Sequence, residues 1–190
     1  MNVLEIKDLT FTYPGAAAPT LNHVDLNIEK GDKICLFGQS GCGKTTLLRL
    51  ILGLEKLNEG KISIEDGLKP SIVFQENRML PFKSVIENII LFGATKETAL
   101  QNLKALGIKE TANLKPNELS GGMERRAAIA RALSQDFDYL LLDEPFTGLD
   151  ETNLEICAKH ILEVAKDKPI ILITHSQEEA ELLNAKIIKM

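Results

Sequence analysis

Apolar residues along the chain follow two rhythms. In the first they alternate with polar neighbours: Leu4 and Ile6, then Leu9, Phe11 and Tyr13 up to the Pro14-Gly15 turn, Val24, Leu26 and Ile28 up to Lys30-Gly31-Asp32, and Ile62 and Ile64 after Gly60. A period of two with one apolar face predicts half-buried strands of an antiparallel sheet. In the second rhythm the apolar residues run on almost unbroken, at 34–37, 71–74, 139–142 and 170–173. Runs this short predict strands covered on both faces, as in a parallel sheet. Between Gln75 and Ser120 the spacing becomes helical, with Val85, Ile89 and Phe92 on one stretch and Ala99, Leu103 and Leu106 on another. Loops are expected around Gly93 and from Asn113 to Asn117. The pattern therefore predicts an α/β fold with a mainly parallel core sheet, an antiparallel β subdomain and an inserted helical subdomain. Residues 1–190 form one domain, in which 1–74 and 120–190 are the α/β core with its β subdomain and about 75–119 the helical insertion.

Each of the four unbroken runs is followed within two residues by polar groups with chemistry to offer. Behind Ile34-Cys35-Leu36-Phe37 comes Gly38-Gln39-Ser40-Gly41-Cys42-Gly43-Lys44-Thr45, a GxxxxGKT phosphate loop, and then the apolar helix beginning Thr46-Leu47-Leu48. This is the strand, loop and helix of a P-loop NTPase. Glycines leave room for successive backbone N–H groups to wrap a phosphate at the positive end of the helix. Lys44 is expected to reach the β- and γ-phosphates of a bound nucleotide and the Thr45 hydroxyl to ligate Mg²⁺. The other runs lead to Gln75, to Asp143-Glu144 and to His175. Ligands of open parallel sheets sit beyond the carboxyl ends of the strands, so four such ends predict one shared site. Two carboxylates ending a buried strand need a metal or a partner. Asp143 suits Mg²⁺ and Glu144 the activation of water. A DE pair alone is more often solvated; behind a phosphate loop the catalytic reading prevails. Ser120-Gly121-Gly122 ahead of the helical run 123–133 reads as a capped helix start, with Ser120 the N-cap and the free N–H groups a second anion site. That helix is expected to run to about 134.

Composition narrows the partners. The 22 Lys and Arg against 27 Asp and Glu leave a net charge of −5, with no basic run to track a phosphodiester backbone, so nucleic acid is not expected. No stretch reaches the roughly 18 apolar residues of a membrane span, and residues 1–7 carry no secretory pattern. A soluble, cytoplasmic chain is expected. Its 3 cysteines, Cys35, Cys42 and Cys157, have no CxxC spacing and suggest a reducing compartment without a zinc site. Cys42 sits in the phosphate loop beside Lys44. It is either a small side chain suited to a tight turn or a thiol whose alkylation blocks nucleotide binding.

Taken in order, Tyr13, the phosphate loop, Gln75, Leu119-Ser120-Gly121-Gly122-Met123, Leu140-Leu141-Leu142-Asp143-Glu144, Gly148-Leu149-Asp150 and His175 resemble the nucleotide-binding subunits of ATP-binding cassette (ABC) transporters across nearly the whole chain. The resemblance implies ATP and Mg²⁺ as ligands. It implies that Tyr13 stacks on adenine, that residues Gly38 to Thr46 hold the phosphates, and that Thr45, Gln75 and Asp143 hold the metal. Glu144 is then the general base, His175 a γ-phosphate switch, and Lys44 and Gln75 further catalytic groups. Ser120, Gly121 and Gly122 would bind the γ-phosphate held by a second subunit, with Asp150 at that interface. The implied partners are an identical or related ABC subunit and integral membrane permeases. The implied place is the inner face of the cell membrane.

Two features qualify the resemblance. The signature ends in Met123 where the family usually has Gln, which removes amide hydrogen bonds but leaves the anion-binding positions. Gln75-Glu76-Asn77-Arg78-Met79-Leu80-Pro81-Phe82 is similar to the loop of nitrate, sulfonate and taurine importers. It implies an importer of a small solute and admits an extracytoplasmic solute-binding protein. A soluble ABC ATPase serving as an assembly or scaffold factor remains the alternative. A regulatory module that closes on ATP without hydrolysis is disfavoured by the intact Glu144 and His175.

Overall fold

A computed structural model describes residues 2–190. The alternating segments form a three-stranded antiparallel sheet in the order β2-β1-β4, from β1 (Asn2–Phe11), β2 (Leu21–Glu29) and β4 (Glu59–Ile64). The apolar phase in β1 jumps from Leu4 and Ile6 to Leu9 and Phe11, and the register with β2 shifts at the same place. The extra residue is absorbed at Asp8, a non-glycine at φ 50°, opposite His23, also at φ 50°. A bulge of this kind lets both halves of a strand face the same core despite the changed phase. On the other side Gly60 (φ 86°) closes the fit, because a Cβ there would lie 2.3 Å from the Asp8 carbonyl oxygen.

The unbroken runs become β3 (Lys33–Phe37), β5 (Pro70–Val73), β6 (Tyr139–Asp143) and β7 (Ile170–Thr174), all paired in parallel in the order β5-β6-β7-β3-β8. The edge strand β8 (Lys186–Lys189) also runs parallel to β3 and was not expected from the sequence. Its exposed lysines flank only two apolar residues, too few to set a period. Every residue of β6 and β7 is buried. Their side chains alternate between two cores, as a pleated strand requires. Ile34, Leu36, Leu141, Ile171 and Ile173 face α1 (Lys44–Ile51) and the antiparallel sheet. Cys35, Leu140, Leu142, Ile170 and Leu172 face the other helices.

On that second face α4 (Gly121–Leu133) packs through Ala127, Ile129, Ala130 and Leu133, and α5 (Glu151–Ala165) through Cys157, Ala158 and Ile161. Small residues let α4 lie close against the sheet and leave depth for two further helices. These are α2 (Val85–Ile90) and α3 (Lys96–Ala105), which bring Val85, Ile89, Ala99 and Leu103 to the same core. Helix α2 is shorter than the apolar spacing predicts. It ends at Ile90, so Phe92 falls past its end and is 52% exposed instead of joining Val85 and Ile89. The short α6 (Gln177–Leu182) precedes β8. Among the described residues no helix is long and apolar enough to cross a membrane.

Candidate active site

Beyond the carboxyl ends of β3, β5, β6 and β7 lies a cleft of about 630 Å³ lined by Gln39, Ser40, Gly41, Gly43, Lys44, Thr45, Thr46, Gln75, Asp143, Glu144 and His175. The four sets of groups that follow the four unbroken runs thus meet in one place. Thr20 and Thr147 also line the cleft and were missed from sequence. Neither lies in a motif, and a threonine in a loop carries no signal of its own.

The phosphate loop owes its shape to close packing. Gly43, the N-cap of α1, has φ 97° and lies against the start of β2, where a Cβ would meet Leu21 at 2.6 Å and the Thr20 carbonyl oxygen at 2.8 Å. Any other residue would be strained there and would push the antiparallel sheet off the loop. Lys44 is buried, and its ammonium donates to the loop carbonyls of Gly38 at 2.7 Å and Gln39 at 3.0 Å. A cation held over a ring of backbone N–H groups at a helix start gives the cleft a local positive field in an acidic protein. Gly38 and Cys42 do not line the cleft. Cys42 lies behind the loop in a separate hollow with Leu21, Leu36, Leu47 and Met190, its sulfur 3.7 Å from Lys44 Nζ. Cys35 and Cys157 are buried thiols pushed up by that burial to about 11 and about 12.

Asp143 ends β6 almost wholly buried, and burial raises its carboxyl above the ordinary value. Among the described residues it has no ion-pair partner, and Thr45 Oγ1 donates to its Oδ2 at 3.2 Å. A hydroxyl and a desolvated carboxylate side by side, facing a phosphate loop, fit a hard divalent cation whose remaining ligands are water and phosphate. Among the described residues no three His, Cys, Asp or Glu groups converge as a metal cage.

Glu144 is the next residue and has φ 48°, left-handed for a side chain that seldom adopts it. Its N–H donates to the Ile173 carbonyl at 2.9 Å, tying it to β7. Its carboxylate is mostly covered and lies 3.1 Å from Nδ1 of the largely exposed His175. That hydrogen bond, followed by the attraction of the Glu144 charge, raises the imidazole above 6.5.

Three of the expected site features stand apart from the cleft. Tyr13 packs edge-on against Phe11 with ring centres 4.8 Å apart, and its hydroxyl lies 3.2 Å from Thr46 Oγ1. The ring is thus held at the margin of the phosphate loop. Ser120 caps α4 by accepting from Met123 N–H at 3.3 Å, leaving the N–H groups of Gly121 and Gly122 at an exposed helix start. Gly122 lies beside the Gly148-Leu149 turn. Asp150 caps α5, accepting from Asn153 N–H at 2.9 Å, a bond that holds its carboxyl below the usual range. The exposed start of α4 and Asp150 therefore lie outside the cleft. One more residue escaped the sequence reading: Arg125, buried under the cleft, donates to carbonyls of both the Gln75 and Glu144 segments.

Comparisons with known proteins identify the family. The family model described as ABC transporter matches residues 21–147. An uncharacterized ABC transporter ATP-binding protein of Methanocaldococcus jannaschii is 33% identical, over 97% of this chain and 76% of that protein. The taurine import ATP-binding protein TauB of Rhizobium johnstonii is 37% identical over 93% of this chain and 73% of that protein. The bicarbonate transport ATP-binding protein CmpD of Synechocystis is 31% identical over 98% and 73%. Among solved structures, a bacterial ABC transporter cassette determined as a dimer superposes with a TM-score of 0.87 at 30% identity, over 98% of this chain and 94% of that one. The same cassette in a post-hydrolysis dimer with ADP and Pi superposes equally well. With its phosphate loop, paired carboxylates and histidine gathered at the ends of one parallel sheet, the chain belongs to the ABC transporter family and is one of its ATP-binding, ATP-hydrolysing cassettes.

Proposed function

We propose that this cassette powers an importer of a small solute, working as a homodimer or beside a related ABC subunit on the inner face of the cell membrane. Its contacts there would be integral permease subunits, with an extracytoplasmic solute-binding protein delivering the cargo. The observation that carries the reading is the convergence of four strand ends on one cleft. The printed functions of the taurine and bicarbonate relatives favour import. We take residues 1–190 as a single ABC domain with the helical subdomain at about 75–119.

In this reading Lys44 turns from the Gly38 and Gln39 carbonyls to the β- and γ-phosphates, and the residues from Gly38 to Thr46 supply backbone N–H groups. Adenine stacks on Tyr13, whose ring has only to swing from its contact with Thr46. Thr45, Asp143 and Gln75 would hold Mg²⁺, which when bound offsets charge on the phosphate oxygens. Glu144 accepts the proton of the attacking water. His175, now paired with Glu144, moves to the γ-phosphate and frees the carboxylate to act. Ser120, Gly121, Gly122 and Asp150 face outward to complete the site of the second subunit, so bound ATP joins the two subunits and hydrolysis parts them.

The membrane side of the reading is supported by an exposed apolar group on the helical face. Phe82 is 89% exposed, and Leu80, Ile90, Leu91 and Phe92 of the same segment, 80–92, are exposed as well. Asn88 is fully buried beneath the segment. It accepts from Leu80 N–H at 2.7 Å and donates to the carbonyls of Leu80, Lys83 and Ser84. A loop so firmly held, with its apolar side chains turned outward, suits a fixed docking surface. The test is ATP turnover with and without Mg²⁺. Glu144→Gln should lose roughly 10²–10⁴-fold in rate with nucleotide binding intact, and Lys44→Ala should lose binding itself. Wild-type turnover in the first, or unchanged ATP affinity in the second, would contradict the assigned roles.

A further inference from the structure

Arg125 is 2% exposed, yet among the described residues no carboxylate bridges it. Burial pulls its guanidinium down to about 10, so it carries its charge at neutral pH. Its donors fan out to the ends of two neighbouring strands. Nη1 donates to the carbonyls of Phe74 at 2.6 Å and Gln75 at 3.2 Å and to Asn77 Oδ1 at 3.1 Å, all just beyond β5. Nη2 donates to the carbonyls of Asp143 at 3.0 Å and Glu144 at 2.5 Å, and Nε to that of Pro145 at 2.7 Å, all at the end of β6. One planar fork thus gathers the backbone that carries Gln75 with the backbone that carries Asp143 and Glu144.

The left-handed backbone at Glu144 shows what this hold does. A non-glycine residue stays in that region only where its surroundings over-determine it. Here Ile173 fixes the Glu144 N–H and Arg125 fixes the Glu144 carbonyl. The same α4 repeats the arrangement two turns on. Arg131 donates to the carbonyl of Arg78, which also has a left-handed φ of 48°. Arg125 stands five residues past Ser120, on the helix whose start forms the second anion site.

We propose that Arg125 is the positioning residue for hydrolysis, setting Glu144 and Gln75 through their backbone and tying them to the helix start that meets the other subunit's nucleotide. The proposal rests on the catalytic role of Glu144 given above. Charge-assisted bonds from a rigid planar donor fix both strand ends at once, which a lysine ammonium, a single point charge, cannot do. Movement of α4 on engaging the partner is carried by these bonds to the base of its own site.

The test compares Arg125→Met, Arg125→Lys and Glu144→Gln, alone and combined, by steady-state ATP turnover and by equilibrium binding of a fluorescent ATP analogue. Arg125→Met should lower kcat by about 10²-fold, the usual consequence of an ångström-scale misplacement, with analogue affinity within about threefold of wild type. Arg125→Lys should restore kcat only in part. In the Glu144→Gln background Arg125→Met should remove little more of the residual rate, because both changes act on one group. A purely structural arginine would instead weaken analogue binding, and its loss would multiply with that of Glu144→Gln. Either pattern overturns the proposal, as does wild-type kcat in Arg125→Met. If Arg125→Met does not fold, full wild-type kcat in Arg125→Lys overturns it alone and a several-fold loss at unchanged affinity supports it. Normal turnover in Glu144→Gln would instead sink the underlying assignment of the base.

Discussion

Asp143 and His175 are the residues whose protonation reports on the site. Burial raises the Asp143 carboxyl, so its charged form is disfavoured in the folded protein and costs stability at neutral pH. Asp143→Asn keeps the shape and an acceptor for Thr45 while removing that charge. Scanning calorimetry without ligand should therefore find a melting temperature equal to or above wild type, while Mg²⁺-dependent turnover is lost. A clear drop in melting temperature would contradict the desolvated, unpaired state assigned to this carboxylate. His175 has the opposite sign of linkage. Its raised value means that the contact with Glu144 stabilises the fold below 6.5 and is lost as pH climbs through the higher folded value. The ring is largely exposed, so the stability effect is slight, but the titration itself is measurable. By NMR the His175 midpoint should lie above 6.5 and fall back toward it in Glu144→Gln. A midpoint at or below 6.5 in the wild type would mean that the pair does not form in solution.

Among the elements, strand interiors were the most legible in the sequence and the ends of helices the least. Residues 139–142 and 170–173 had to be apolar on both faces because a helix layer and a second sheet cover them, so an unbroken run was a sufficient signal. The order of the motifs marked the cleft because the carboxyl ends of parallel strands lie together. Arg125 was illegible: between Glu124 and Arg126 it reads as an ordinary surface charge, and its acceptors come from residues 74–77 and 143–145. Backbone carbonyls have no sequence signature. The end of α2 was equally hidden, since Phe92 fits the helical spacing but follows the last turn. What holds this element is the Ser84-Glu87 capping box and Asn88, whose side chain serves four backbone groups. Asn88→Ala leaves the Leu80 N–H and the Lys83 carbonyl without their side-chain partner, while the Leu80 and Ser84 carbonyls keep the Lys83 and Asn88 N–H groups, and should cost about 1–2 kcal/mol. Thermal or urea unfolding checks the figure, and a loss below about 0.5 kcal/mol would show that water replaces the side chain.

At the scale of the whole molecule, the cassette presents three surfaces with separate chemistry. The cleft offers a positive loop and two carboxylates. The exposed start of α4, with Asp150 nearby, offers N–H groups that serve no partner among the described residues. The apolar side chains around Phe82 form the docking face proposed above. An isolated subunit leaves the second of these idle, and two copies facing each other would give each nucleotide a phosphate loop on one side and an α4 start on the other. Affinity between subunits then depends on the γ-phosphate, which is how a soluble reaction can be turned into movement of a membrane partner. The most direct test of this account is the mass of the Glu144→Gln protein in solution, measured by light scattering with and without ATP and Mg²⁺. The account predicts a monomer without nucleotide and a dimer with ATP. A protein that binds ATP tightly yet stays monomeric at every concentration tested would contradict closure of two copies around shared ATP.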